Sequence, residues 1–367
     1  MRNNTDHPGI YCYGVIFLAI KANAVFEGGG IRGIGHAGAA GVFEEEGYRF
    51  ESVAGSSAGA IIASLIAVGY TCAELKTIME NTDYLKFRQE SFLDHLGVFG
   101  KLIEILFDYG IYSADYFENW LHALLQRKGK TTFGDIWRSP QLGDDGCRLH
   151  VTASDLTDKK LLVFPEDLRA FCDDPNSFSI AKAVRMSMSI PLFYEPVKLK
   201  DKHGKVHYIV DGGLLSNYPM WILDDGKSNP ERPVFGFKFV DDPGGKEHKD
   251  AGKMNVFSYL TSIVSTAVDS LDQRYISTSR GDYQRTVAIP ATIETEGGKK
   301  LLSATDFDVT REESAALYQN GREAAQRFLA GWDFQRWKAV YRNPAAAMAR
   351  VRGQRREPLD FTQRGIS

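Results

Sequence analysis

The sequence predicts an α/β protein, a three-layer sandwich with a central, mostly parallel β-sheet flanked by helices. Two successive strand, tight turn, helix units open the chain, and five further apolar strand segments follow, most of them separated by helical stretches. In the first unit, residues 22–27 form a short apolar run that leads into three glycines, and small and apolar residues then recur at helical spacing over 33–46. Gly47 takes the position of a helix C-cap, residues 48–54 read as the second strand, and residues 60–68 are apolar nearly all round, as in a buried helix. The remaining strands are expected at 149–153, 161–164, 206–210, 234–240 and 286–289. Open sheets of this kind bind ligands at the carboxyl ends of their strands, where both glycine-rich turns fall.

The 367 residues, 43% of them apolar, supply a sizeable core, and a formal net charge of -3 argues against a polyanion- or nucleic-acid-binding protein. Cys12, Cys72, Cys147 and Cys172 are too widely spaced for a zinc site or a disulfide framework, which fits a reducing, cytoplasmic setting. The apolar run 10–20 is shorter than the roughly 20 residues of a spanning helix and lacks signal-peptide flanks. Residues 1–21 are therefore expected as an N-terminal tail or extra strand, 22–220 as a catalytic core and 221–330 as the rest of the same domain. Residues 331–367 read as a basic, aromatic tail with eight basic against three acidic residues.

Chemistry is concentrated in three motifs. Gly55-x-Ser57-x-Gly59, between an apolar strand and an apolar helix, is the pattern of a nucleophile elbow, in which a strained turn lifts the serine out of the sheet. The helix that follows adds a positive dipole end and free N–H groups, Ala58 among them. The loop Gly28, Gly29, Gly30, Ile31, Arg32, Gly33 can present backbone N–H groups to a tetrahedral oxyanion, with Gly29 and Gly30 as the expected donors. Arg32 either attracts a phosphate-bearing head group or fixes the loop through carbonyl oxygens. Asp211, at the end of a strand and followed by Gly212 and Gly213, is placed to accept the Ser57 proton. An ordinary aspartate is a weak base, so burial must raise its basicity or the pair must be very well aligned.

Two competitors share these residues. A Ser-His-Asp triad would draw on His36, His150, His203 or His207. The glycine loop also matches the G-x-G-x-x-G dinucleotide fingerprint, with Glu51 where a ribose-binding acid is expected. The serine elbow at the second turn has no place in a nucleotide fold.

Glycine loop, G-x-S-x-G and D-G-G, in this order, together with the segment 181–197 (AKAVRMSMSIPLFYEPV), resemble the patatin-like phospholipase family over about 23–219. The helical stretch 306–329 is similar to bacterial members, while Glu27 stands where many members carry Asp. The resemblance implies Ser57 as nucleophile, Asp211 as its partner in a Ser-Asp dyad and residues 28–33 as the oxyanion loop, with no metal or other cofactor. It implies fatty-acyl esters, membrane phospholipids among them, as substrates, and some relatives require an activating partner or a cyclic nucleotide. A general carboxylesterase or thioesterase, and a dormant lipid-binding protein that needs an activator, are the alternatives. The aromatic-rich stretch 92–125 is expected either to cap an acyl channel or to pack as ordinary helices. Trp332, Phe334, Trp337 and Tyr341 suit either a helix lying on anionic membrane, with peripheral attachment, or a stripe packed on the core.

Overall fold

The computed structural model describes residues 19–87, 110–112, 114–137, 146–240, 281–295, 298–304, 306 and 308–343. The opening units form as the apolar periodicity requires: β1 (Ile20–Phe26), α1 (Gly33–Glu45), β2 (Tyr48–Gly55) and α2 (Ala58–Val68), followed by α3 (Cys72–Asn81). After β3 (Gly110–Tyr112) and α4 (Asp115–Arg127) come β4 (Leu149–Asp155) and β5 (Lys160–Phe164), then α5 (Ile180–Ser187), β6 (Leu192–Tyr194), β7 (Val197–Lys200) and β8 (Val206–Asp211). The short helix α6 (Gly213–Ser216) leads towards β9 (Val234–Val240). The described chain continues through β10 (Thr286–Pro290), the hairpin β11 (Thr292–Thr295) and β12 (Gly298–Leu301), then α7 (Arg311–Ala330) and α8 (Phe334–Tyr341).

Eight strands form the central sheet in the order β10-β9-β1-β2-β4-β8-β7, with β5 also paired to β4. The run from β10 to β4 is parallel, whereas β5 and β8 lie antiparallel to β4, and β7 antiparallel to β8. The register of β4 decides where the chemistry falls. Val151 pairs at once with Gly55 of β2 and Phe164 of β5, and Ala153 pairs at once with Asp211 of β8 and Leu162 of β5. A strand has only two edges, so β5 holds one edge and β2 and β8 share the other in succession. They meet end to end: β2 runs up the edge and stops at Gly55, while β8 comes down it and stops at Asp211. Two residues of β4, about 7 Å, separate their partners.

Alternation along β1 sends Ala22, Ala24 and Phe26 into the main core and Val25 to the opposite face. The main face packs Phe26, Phe43, Phe50, Phe235 and Phe237 in edge and stacked contacts beneath α1 and α7. Helix α7 starts from a capping box in which Thr310 and Glu313 satisfy each other's backbone N–H groups. The opposite face is covered in part by Tyr218 and Met220, which pack on Val25 and Ala54. Among the described residues, no helix is long and apolar enough to cross a membrane.

The described part of the C-terminal segment is folded onto the domain rather than an extended tail. Trp337 of α8 is 5% exposed, donates its indole N–H to the Gly281 carbonyl at 2.9 Å and lies against the guanidinium groups of Arg285 and Arg342. Arg285, also buried, bonds Asp282 at 2.9 Å, and Arg342 bonds Asp224 at 2.6 Å. Trp332 packs on Phe235 and Phe328. Of the two expectations for this aromatic stripe, packing on the core is the one realised. Its basic continuation beyond residue 343, the apolar run 10–18 and the first part of the 92–125 stretch lie outside the described residues. Replacing Trp337 by Ala is expected to cost about 3–5 kcal/mol of unfolding free energy, read as a lower urea midpoint.

Candidate active site

Ser57 sits in the turn between β2 and α2 with φ 51° and ψ -125°, a left-handed conformation that costs free energy at a non-glycine residue and must be imposed by its surroundings. Its flanking glycines show how tightly the turn is drawn. A Cβ on Gly59 would lie 2.1 Å from the Phe26 carbonyl oxygen, and one on Gly55 would lie 2.4 Å from the Gly59 carbonyl carbon. The Ser57 N–H donates to the Ser187 hydroxyl at 2.9 Å. Its neighbour Ser56 faces away from the cleft, bridging the Thr152 hydroxyl and the Ser216 carbonyl at 2.6 Å each.

Asp211 ends β8 beside Ser57, and both are almost wholly buried, at 5% and 6% exposure. The strand end is held by segment 187–189: the Asp211 N–H donates to the Ser189 carbonyl at 2.9 Å and the Gly212 N–H to the Ser187 carbonyl at 3.1 Å. Asp211 Oδ1 accepts the Gly213 N–H at 2.6 Å, while Oδ2 makes no hydrogen bond of normal geometry. Burial pushes the Asp211 pKa up to about 7, with the Ser57 hydroxyl and the Gly213 N–H pulling part of the way back.

The glycine loop is already partly spent. The Gly28 N–H donates to the Asn217 carbonyl, Ile31 to Ala304, Arg32 to Gly29 and Gly33 to Gly30. Of the six loop residues, only Gly29 and Gly30 keep N–H groups without an acceptor among the described residues, and the Ala58 N–H at the start of α2 is in the same condition. Gly28, Ile31, Arg32 and Gly33 therefore shape the loop and do not donate from it. Arg32 takes the loop-fixing role: its Nε donates to the Gly29 carbonyl at 3.2 Å and its guanidinium lies over the Phe239 ring. Glu27, just before the glycines, has a buried carboxylate that accepts the Phe239 N–H at 2.7 Å and pairs with Lys238.

Among the described residues, no histidine hydrogen-bonds Ser57 or Asp211. His36 is fully buried with its pKa pushed down to about 3 by desolvation, and its Nε2 is engaged with the Glu27 carbonyl. His150 lies against Glu166, His207 is bound to Asp155 at 2.7 Å, and His203 is exposed in a loop. Glu51 lies inside β2 rather than at its end, facing Lys21 at 3.8 Å and Arg232 at 4.0 Å, which removes the ribose-binding acid of the dinucleotide alternative.

From Ser57 an apolar cleft of about 560 Å³, part of it open to solvent, runs between Gly30, Ala58, Ile61, Ile62, Met79, Phe87, Phe117, Trp120, Met188 and Ile190. Helix α4 supplies Phe117 and Trp120 to this wall while burying Leu121, Leu124 and Leu125 in the core, so the described part of the 92–125 stretch both packs and lines the cleft. Such a site suits an acyl chain whose carbonyl carbon is presented to a serine. Ser187 and Asn217, which bind the elbow and the glycine loop, are the polar residues that motif reading missed. Ser187 belongs to the quoted segment 181–197 and Asn217 follows the D-G-G motif by four residues, but no spacing rule marks a serine or asparagine as a backbone ligand.

The family model for patatin-like phospholipases matches residues 24–224. The chain is 37% identical over 317 residues to the uncharacterized protein YqhO of Bacillus subtilis (strain 168), an alignment covering 85% of this chain and 99% of that protein. It is 23% identical over 313 residues to an uncharacterized protein of Acanthamoeba polyphaga mimivirus, covering 83% of this chain and 92% of that one. Among solved structures it is similar to VipD from Legionella pneumophila, with 18% identity and a TM-score of 0.49 over 88% of this chain and 70% of that one. It is also similar to ExoU in the ExoU-SpcU complex of Pseudomonas aeruginosa, with 17% identity and a TM-score of 0.44, where the match spans 91% of this chain and 59% of the other.

Because folded Asp211 holds its proton up to about pH 7 while the unfolded residue releases it near 3.8, the wild type loses stability as pH rises through that window. Asp211→Asn, neutral throughout, is expected to be the more stable protein at pH 8. Its advantage should shrink to nothing towards pH 4 in urea unfolding followed by circular dichroism.

Proposed function

Because the chain belongs to the patatin-like phospholipase family, we propose that it hydrolyses fatty-acyl ester bonds, those of membrane phospholipids among them, through a Ser57–Asp211 dyad and an acyl-enzyme. The observation that carries this reading is the buried Asp211 carboxyl, one oxygen held by Gly213 and the other without a hydrogen bond of normal geometry, acted on by the hydroxyl of a strained serine at the head of an apolar cleft.

In the first step Ser57 Oγ attacks the ester carbonyl carbon and its proton passes to Asp211 Oδ2. The carbonyl oxygen, now carrying the charge, takes N–H groups from Gly29, Gly30 and Ala58, whose lack of acceptors leaves them ready for an anion. Collapse of the tetrahedral species breaks the bond to the alcohol oxygen, which leaves with the proton from Asp211. Water then attacks the acyl-enzyme, giving its proton to the same carboxylate, and the fatty acid departs as Ser57 Oγ recovers a proton. A carboxylate with its pKa near neutrality is a stronger base than an ordinary aspartate and still ionised at pH 8, which answers how a dyad without histidine can work. Contact with a membrane surface would bring phospholipid acyl chains to the open end of the apolar cleft.

Ser57→Ala and Asp211→Asn are each expected to lower hydrolysis of a chromogenic acyl ester and of phospholipid vesicles roughly thousandfold or more, with unchanged circular dichroism. Ester turnover by the Ser57 variant at the wild-type rate would end the proposal.

A further inference from the structure

The turn after Asp211 reaches both other parts of the site. Through Ser216 it accepts the Ser56 hydroxyl of the elbow, and through Asn217 it grips the glycine loop. Asn217 does so twice: its backbone carbonyl accepts the Gly28 N–H at 3.0 Å, and its side-chain Nδ2 donates to the Gly28 carbonyl at 3.3 Å. A carbonyl oxygen only accepts, so the group facing it must be the amide nitrogen.

That second bond bears on catalysis because the Gly28 carbonyl and the Gly29 N–H belong to one planar trans peptide unit and point in opposite directions. Holding the carbonyl from one side aims the N–H out of the other. The next peptide is fixed in the same manner, with the Gly29 carbonyl taken by the Arg32 N–H and Nε, which aims the Gly30 N–H. Asn217 is also wedged against the acid's own turn. A Cβ on Gly28 would lie 2.1 Å from Asn217 Oδ1 and one on Gly213 only 2.7 Å from it, and Gly213 is the residue whose N–H holds Asp211.

We propose that Asn217 is a positioning residue that orients the Gly29 N–H towards the oxyanion and ties the oxyanion loop to the Asp211 turn, an inference that rests on the acyl-hydrolase reading above. It touches neither substrate nor the reacting atoms, and acts through the direction of one peptide plane. Its loss should weaken the transition state and leave ground-state binding in the apolar cleft alone.

The test uses Asn217→Leu, which keeps the volume and removes the donor, and the isosteric Asn217→Asp, which removes it without an apolar group. Active sites are counted with a fluorophosphonate, and kcat per site and KM are measured on a chromogenic acyl ester. The expected result in both variants is a full count of reactive sites, slower phosphonylation, a KM within about threefold of wild type, and a kcat lower by roughly tenfold to hundredfold. A wild-type kcat per site in both variants, or a change confined to KM, overturns the positioning role and leaves the acyl-hydrolase reading intact. A wild-type protein that neither hydrolyses esters nor reacts with the probe overturns that reading, and this role with it.

Discussion

The site depends on how two strands share one edge of β4. Strand β2 ends at Gly55 opposite Val151, and β8, running the other way, ends at Asp211 opposite Ala153, because β5 already occupies the far edge. Ladder hydrogen bonds thereby fix the spacing between Ser57 and Asp211, the proposed nucleophile and base, which lie more than 150 residues apart in the chain. The elbow, the 187–189 segment and the turn after Asp211 then set the directions of the side chains. Ser187 binds the backbone of Ser57, Ser189 binds that of Asp211, and Asn217 binds that of Gly28.

Desolvation is the second constraint, and it acts in opposite directions on two buried groups. It lifts the Asp211 pKa to about 7, the range that the proposed base role requires, and drives that of His36 to about 3, leaving a neutral ring that fills space behind the loop. A carboxylate forced to ionise in such surroundings costs folding stability, a cost that the proposed role of Asp211 as a base would account for. The same seclusion strengthens any N–H group aimed at a developing oxyanion.

Much of this arrangement was legible in the sequence, for identifiable reasons. The glycines at 55 and 59 are demanded by steric contacts that no other residue survives, so they mark the elbow. The apolar runs of β1, β2 and α2 are long enough to declare their period. The direction of β8 was not legible, because alternation of apolar residues is the same in either sense of the strand; only pairing partners distinguish them. Nor were Ser187 and Asn217, whose roles rest on single contacts with distant backbone. The aromatic stripe of α8 was ambiguous because a protein core and a lipid surface select the same residues. Its resolution needed the Trp337 bond to Gly281 and the stacking of Trp332 on Phe235 and Phe328.

The central claim is that a buried aspartate, acting without histidine, takes the proton of Ser57. The most direct measurement is the pH dependence of the acylation burst with a chromogenic ester, followed by stopped flow. If Asp211 is the base, the burst rate rises with pH through a single ionisation near 7, and Asp211→Asn loses both the rate and the inflection. An inflection that persists in Asp211→Asn, or one near the pKa of an ordinary aspartate, would contradict the account.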